Sequence, residues 1–279
     1  MKLSIITINL NNAAGLEKTL QSVASQTIKE FEYIIIDGAS TDGSVEVIRK
    51  YESQFAHLTW VSESDSGVYN AMNKGVRVAS GDYVQVLNSG DCLAADDVLE
   101  RMLAVAEKVD PPSILYGNMV KLFPNGKKLM DKNSAGREIT MLDMFKGTLN
   151  HSPTFIRRDL FEKYGYYDES LKIVSDWKWY LQAIIFGGEK PKYVDMNVTV
   201  FDMTGISETN KELVETERKQ VLEQMFPKAV LDDYKKNAFP MAQMDRLQRH
   251  PWAYKLVWFL ERCLFKVEKR KNRKMTSWN

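Results

Sequence analysis

From its first residues the chain alternates runs of β-branched and aromatic residues with stretches whose apolar positions recur every three or four residues. Leu3 to Ile8 reads as a strand, and after the polar break Asn9-Leu10-Asn11-Asn12 the residues Leu16, Leu20, Val23 and Ala24 fall on one side of a helix. Phe31 to Ile36 opens a second unit of the same kind, with Asp37-Gly38-Ala39-Ser40-Thr41-Asp42-Gly43 as its turn and Val45, Val47 and Ile48 in its helix. A strand near Leu58 to Val61, a helix from about Tyr69 to Val78 and a strand over Tyr83 to Leu87 continue the scheme. Strands alternating with helices predict an α/β fold with a mainly parallel, twisted sheet flanked by helices.

Beyond Asp96 the pattern is less regular. It predicts a helix to about Val109, a strand from Ile114 to Phe123, a turn over Pro124-Asn125-Gly126-Lys127, a short apolar segment at Thr154-Phe155-Ile156 and a helix opening at Ser175 or Asp176. From about Ser207 strands disappear and the remainder reads as a helical appendage.

In parallel sheets ligands gather outside the carboxyl ends of the strands. Asp37, Glu63 with Asp65, and Asn88-Ser89-Gly90-Asp91 each follow directly on a predicted strand, so three carboxylate-bearing loops should meet at one rim. Each loop taken alone would also serve as an ordinary helix cap. It is their convergence that points to a site.

Composition excludes several function classes. Lys plus Arg number 38 and Asp plus Glu 37, so no overall charge calls for a nucleic-acid partner. Cys92 and Cys263 are far apart, and His57, His151 and His250 are scattered, which argues against a disulfide framework and a clustered zinc site. No stretch approaches the roughly 20 apolar residues of a membrane span. The expected location is the cytoplasm, or the inner face of the cell membrane as a peripheral protein. Neither a Gly-x-Gly-x-x-Gly fingerprint nor a P-loop is present.

The acidic rim therefore needs another explanation. SIITINLNN, EYIIIDGASTDGS, SESDSGVYNAMNKG with ASGDYVQVLNSGD, NHSPTFIRR and IVSDWKWYL resemble, in order, the motifs of family 2 inverting glycosyltransferases, and most closely those of bacterial polysaccharide and lipopolysaccharide assembly. The resemblance covers roughly the first two hundred residues. It implies a GT-A fold, a nucleotide-sugar donor, a glycan or polyprenyl-linked acceptor, and a divalent metal, manganese or magnesium. It also implies a catalytic domain over 1–206, with a donor half to residue 100 and an acceptor half from 101, followed by a helical region over 207–279.

Residue by residue, Asp37 matches the aspartate that accepts hydrogen bonds from the donor base; uracil and guanine both offer an N–H, so it does not choose between them. Thr7 and Asn9, in the first motif, belong to the donor side. Asn88-Ser89-Gly90-Asp91 stands where the family carries Asp-x-Asp for metal and diphosphate, with Asn88 in the first position, Gly90 in the second and Asp91 one residue late. Asp91 is the expected metal contact, assisted by the Asn88 carbonyl, and an Asn-x-Gly turn is the alternative. Asp65 falls where the donor sugar or ribose is held, and Asn73 with Lys74 could face its phosphates. Asp176 matches the catalytic base, since an inverting transfer needs one carboxylate to take the acceptor proton. His151 and Trp177 fall on the acceptor side, the histidine equally readable as a structural group and the indole, with Trp179 and Tyr180, as core.

The tail from Trp252 to Val267 is apolar and aromatic, and Lys266, Lys269, Arg270, Lys271, Arg273 and Lys274 follow or overlap its end. Residues 252–274 read either as an interfacial membrane helix or as a helix packed on the catalytic domain or on a second copy of the chain. Two rival functions stay open: a sugar nucleotidyltransferase, which would normally carry a glycine-rich basic loop after its first strand, and a catalytically silent nucleotide-sugar binding or assembly protein.

Overall fold

The computed structural model describes residues 1–107, 110–205 and 209–276. Strands β1 (Leu3–Asn9), β2 (Glu32–Asp37), β3 (Leu58–Ser62), β4 (Tyr83–Val86), β5 (Cys92–Leu93), β6 (Ile114–Leu122), β7 (Lys128–Asp131), β8 (Thr154–Arg157) and β9 (Lys192–Asp202) form one sheet in the order β3-β2-β1-β4-β8-β6-β9-β5, with β7 beside β6.

β1 is buried along its whole length because helices cover both faces, and its polar residues Ser4, Thr7 and Asn9 are buried with the apolar ones. Leu3 and Ile5 of β1, with Tyr33 and Ile35 of β2, meet Leu16 and Leu20 of α1 (Ala13–Ala24) and Ile48 of α2 (Ser44–Tyr51) in the main core. Ile6 points the other way, against α3 (Val68–Val78). The approach there is so close that a Cβ on Gly75 would stand 2.4 Å from Ile6 Cγ2.

β1, β2, β3 and β4 are mutually parallel, as the strand-helix alternation requires. The second half is mixed: β8 enters antiparallel between β4 and β6, β7 and β5 are antiparallel to their neighbours, and only β6 and β9 pair in parallel. The eleven residues of β9 were not foreseen, although their polar and apolar residues alternate as in a half-buried strand.

The remaining helices of the first part are α4 (Val98–Ala106), α5 (Met141–Lys146), α6 (Asp159–Tyr164), α7 (Ser175–Tyr180), which continues in wider turns over Leu181–Phe186, and α8 (Lys211–Met225). The expected end of α4 at Val109 lies outside the described residues. The chain divides into compact units Met1–Gln224 and Met225–Asn279, so α8 packs with the first unit, whereas the motifs suggested a division after residue 206, itself outside the described residues. The second unit consists of α9 (Lys228–Gln248) and α10 (Pro251–Thr276). Among the described residues no helix is long and apolar enough to cross a membrane.

Candidate active site

The rim loops gather into two clusters. The first surrounds Asp37, which ends β2 and is fully buried. Its Oδ1 accepts from Asn9 Nδ2 (2.7 Å) and Ser40 Oγ (2.6 Å), and its Oδ2 from the Ser40 N–H (2.9 Å) and Ser62 Oγ (2.6 Å). Burial alone would raise this carboxyl, but the donors of Ser40, Ser62 and Asn9 outweigh it and hold Asp37 below its ordinary value. Four donors fill the four lone-pair positions of a carboxylate. A donor base would reach Asp37 only by replacing one of the two serine hydroxyls.

Asp65 is half-buried near this cluster, with Oδ2 just 2.8 Å from where a Cβ on Gly38 would lie. Thr7 is buried on β1 and bonded to the Leu87 carbonyl (2.8 Å) and Tyr33 hydroxyl (3.0 Å). Asn73 is buried with both ends of its amide engaged, donating to the Tyr167 carbonyl and Glu169 Oε1 (2.8 Å each) and accepting from the Tyr167 N–H (3.0 Å). Lys74 pairs with Glu63 at 2.7 Å. None of these residues lines the cavity described next.

The second cluster surrounds a cavity of about 610 Å³ lined by Asn88, Asp91, His151, Asp176, Trp177 and Asp202 among others. The loop Asn88-Ser89-Gly90-Asp91 is a tight turn closed by the Asp91 N–H on the Asn88 carbonyl at 3.0 Å. Its third residue has φ +105°, a conformation that a residue with a Cβ avoids. That backbone accounts for glycine at the third place of this loop. The loop is thus the Asn-x-Gly turn that the sequence allowed, with the Asp91 side chain beside it.

Asp91 is buried, with Oδ1 accepting from the Asp202 N–H at 3.2 Å and, among the described residues, no partner for Oδ2. Burial pushes it up to about 7, against the lowering effects of the His151 charge and the Asp202 N–H. Asn88 Oδ1 is a second buried oxygen that has no partner among the described residues. Two unpaired hard oxygens on one turn, one of them on a carboxyl that burial disfavours as an anion, suit a divalent cation. Among the described residues no group of three or more His, Cys, Asp or Glu is arranged to hold a metal, so other ligands would have to come from a diphosphate and water.

His151 joins this turn to Asp176. Its Nδ1 lies 3.2 Å from Asp176 Oδ2 and its Nε2 lies 3.3 Å from Asn88 Nδ2. The network fits a ring whose Nδ1–H donates to the carboxylate while Nε2 accepts from the amide. Burial lowers His151, but the hydrogen bond and charge of Asp176, with Asp91 beyond, raise it on balance. Asp176 opens α7, its side chain only 14% exposed, and its other oxygen accepts from the Tyr69 hydroxyl at 3.0 Å. Tyr69, buried and beside this carboxylate, is held well above its ordinary value and keeps its proton.

Trp177 is buried, donates its Nε1–H to the Met144 carbonyl (2.8 Å), and carries the Arg218 guanidinium over its ring at 4.1 Å. Trp179 and Tyr180 are core and pack on each other, Trp179 also meeting Phe161, Tyr164 and Tyr167. The structure thus adds Tyr69, Asp202 and Arg218 to the residues the sequence singled out. Only Tyr69 carried a signal, as the aromatic residue inside SGVYNAMNKG.

The model of the family described as Glycosyl transferase family 2 matches residues 4–165. A PGL/p-HBAD biosynthesis glycosyltransferase of Mycobacterium tuberculosis is 29% identical over 208 residues, covering 74% of this chain and 79% of the relative. Among solved structures, Staphylococcus aureus TarS 1–349 in complex with UDP superposes with a TM-score of 0.63 at 21% identity, covering 84% of this chain and 69% of that one. The mannosyltransferase PcManGT of Pyrobaculum calidifontis, in complex with GDP-Man and Mn2+, gives 0.60 at 17%, covering 91% and 72%. These likenesses establish the GT-A fold that the motifs implied. By its match over residues 4–165, and in keeping with the ordered motifs and the architecture, the chain belongs to glycosyl transferase family 2.

Proposed function

We propose that the protein transfers one sugar, with inversion, from a UDP- or GDP-sugar to a glycan or lipid-linked acceptor in cell-surface polysaccharide assembly. The observation that carries this reading is the Asp176–His151–Asn88 relay. It sets one largely buried carboxylate at a single imidazole's remove from the loop that offers unpaired oxygens to a diphosphate-bound cation.

Asp176 takes the proton from the acceptor hydroxyl as it attacks the anomeric carbon, and a single displacement needs no second carboxylate. Tyr69 and His151 each donate to Asp176, fixing its oxygens; the proton from the acceptor hydroxyl goes to an Asp176 lone pair that they leave free. Asp91 and Asn88 would hold manganese or magnesium. Such an ion, when bound, supplies Lewis-acid neutralisation of the departing diphosphate. Asp37 reads the donor base once Ser40 or Ser62 yields its place, and Asp65 stands near enough to serve the ribose or sugar. The two structural neighbours, one in complex with UDP and the other with GDP-Man and Mn2+, support this donor class.

A peripheral membrane location is part of the same reading. On α10, Trp252, Leu256, Phe259, Leu260, Leu264 and Val267 recur at helical spacing and are each at least half exposed, with Lys255, Arg262, Lys266 and Lys269 between them. The side chains of Arg270, Lys271, Arg273 and Lys274 lie outside the described residues. Deleting residues after His250 should abolish flotation with anionic liposomes, and undiminished flotation would remove the membrane from the account.

The donor is tested by thermal shift against UDP, GDP, CMP and dTDP, each with manganese, magnesium or EDTA, because a ligand selective for the native state raises its melting temperature. A metal-dependent shift with UDP or GDP is expected. A shift insensitive to EDTA would remove the cation, and no shift with any nucleotide would favour a silent assembly protein.

A further inference from the structure

Asp176 stands at the start of α7, a helix whose N-cap is Val174 and has no side chain able to cap it. The backbone N–H groups ahead of the helix are satisfied from elsewhere in the chain. Glu217, buried at 6% exposure on α8, accepts from the Lys172 N–H on Oε1 (2.7 Å) and from the Ile173 and Val174 N–H groups on Oε2 (2.9 and 3.2 Å). The Ile173 carbonyl is held in turn by the Tyr69 hydroxyl, the same group that donates to Asp176. Segment 172–176 is therefore gripped at its N–H groups by one side chain and at a carbonyl and its carboxylate by another.

The next residue of α8 grips the end of α5. Arg218 donates to the carbonyls of Met144, Phe145 and Gly147 at 2.8 to 3.1 Å, at the end of α5, and lies on the Trp177 ring. Two consecutive side chains of one helix thus tie down the strip that bears Asp176 and the strip that receives the Trp177 indole. A buried carboxylate collecting three backbone donors is a strong local constraint, since hydrogen bonds to a charged group are about twice as strong as neutral ones.

We propose that Glu217 is a positioning residue for glycosyl transfer, fixing the backbone of residues 172–174 so that Asp176 is aimed into the cavity. This rests on the reading of Asp176 as the base. It also makes α8 a working part of the acceptor half rather than the start of an appendage.

The test compares Glu217→Gln, which keeps shape but loses charge and one acceptor, with Glu217→Asp, which keeps charge but is one methylene shorter. Two readouts are taken. Amide hydrogen exchange is followed in peptides spanning 170–178, with β1 and β2 peptides as the internal control. Release of nucleoside diphosphate is followed with the UDP- and GDP-sugar panel. In Glu217→Gln, exchange of the 172–174 amides should accelerate at least tenfold with β1 and β2 unchanged, and kcat should fall at least tenfold with the donor KM within twofold. Glu217→Asp should recover part of both losses. Unaltered exchange at 172–174, or wild-type kcat in a folded Glu217→Gln protein, would overturn the proposal. Asp176→Asn, run beside them, separates the two readings. Full turnover in that variant overturns the base and the positioning role together, whereas an inactive Asp176→Asn beside a fully active Glu217→Gln overturns the positioning role alone.

Discussion

Replacing Asp37 with asparagine should cost stability first and donor affinity second, and the structure sets the scale. The four donors divide as two on each oxygen. An amide whose NH₂ took the Oδ2 place would face the Ser40 backbone N–H, which cannot turn away. With its NH₂ in the Oδ1 place it would face the Asn9 amide and the Ser40 hydroxyl, and both can adjust: the hydroxyl rotates, and Asn9 can present its Oδ1, which is buried and otherwise unpartnered. The second arrangement therefore wins. It keeps two donors on the remaining oxygen but converts charge-assisted bonds to neutral ones. Neutral bonds contribute about 1 kcal/mol against about 1.5–3 kcal/mol for charged ones, so Asp37→Asn should lose about 1–3 kcal/mol. Asp37→Ala, which strands all four donors, should lose more. Because Asp37 is held below its ordinary 3.8, its stabilisation is present above that pH and disappears as pH falls below it. Urea denaturation of wild type and Asp37→Asn at pH 7 and at about pH 3 measures both effects: the gap should be open at pH 7 and narrow at the lower pH. An Asp37→Asn protein as stable as wild type at pH 7 would refute the argument.

Glu189 offers a second acid-labile contact. Burial would raise it, but Lys163, Ser113 and Tyr164 bring it down to about 2 from 4.5. That gap corresponds to roughly 3 kcal/mol at most, which the exposed Lys163 partner reduces to about 1–2 kcal/mol. Glu189→Gln should lose this amount at pH 7, and the difference should vanish as pH falls from 4.5 towards 2. Equal unfolding midpoints at pH 7 would contradict it. Gly75→Ala sets two effects against each other: alanine favours the helix by about 1 kcal/mol, while overpacking against Ile6 costs about 1–3 kcal/mol. With the new Cβ at 2.4 Å from Ile6 Cγ2, the clash should win and lower the melting temperature, and a stabilised variant would show that α3 can shift away from β1.

The strand-helix units of the first ninety residues were legible because both faces of β1 and β2 are covered, so isoleucines crowd into Ile5-Ile6 with Ile8 and into Ile34-Ile35-Ile36 as in buried strands. β9 was missed although its alternation is regular, since Asp195, Asn197 and Thr199 interrupt the apolar residues and half of the strand meets solvent. The mixed second half of the sheet could not be read, because strand direction depends on connections and not on local pattern. The site was legible at the strand ends, where Asp37, Asn88 and Asp91 had to lie. What the sequence did not show was contact at long separation. Glu217 meets residues 44 and 45 positions away, and Tyr69 meets Asp176 across 107. No periodicity marks such a pair. The polar loops do share the rim of β2, β1 and β4, where Asn9 bonds Asp37 and Asn12 bonds the Ser89 carbonyl, but of the acidic loops only Asn88-Ser89-Gly90-Asp91 lines the cavity.

The central claim is that Asp176 removes the acceptor proton. The measurement that bears on it most directly is the turnover of Asp176→Asn relative to wild type, followed as nucleoside diphosphate release with the donor identified by thermal shift. Loss of a general base costs about 10² to 10⁴ in rate. Asparagine retains an oxygen for the Tyr69 hydroxyl, so the account predicts a fall of at least a hundredfold in kcat with the donor-induced thermal shift preserved. Turnover within a few fold of wild type would contradict it.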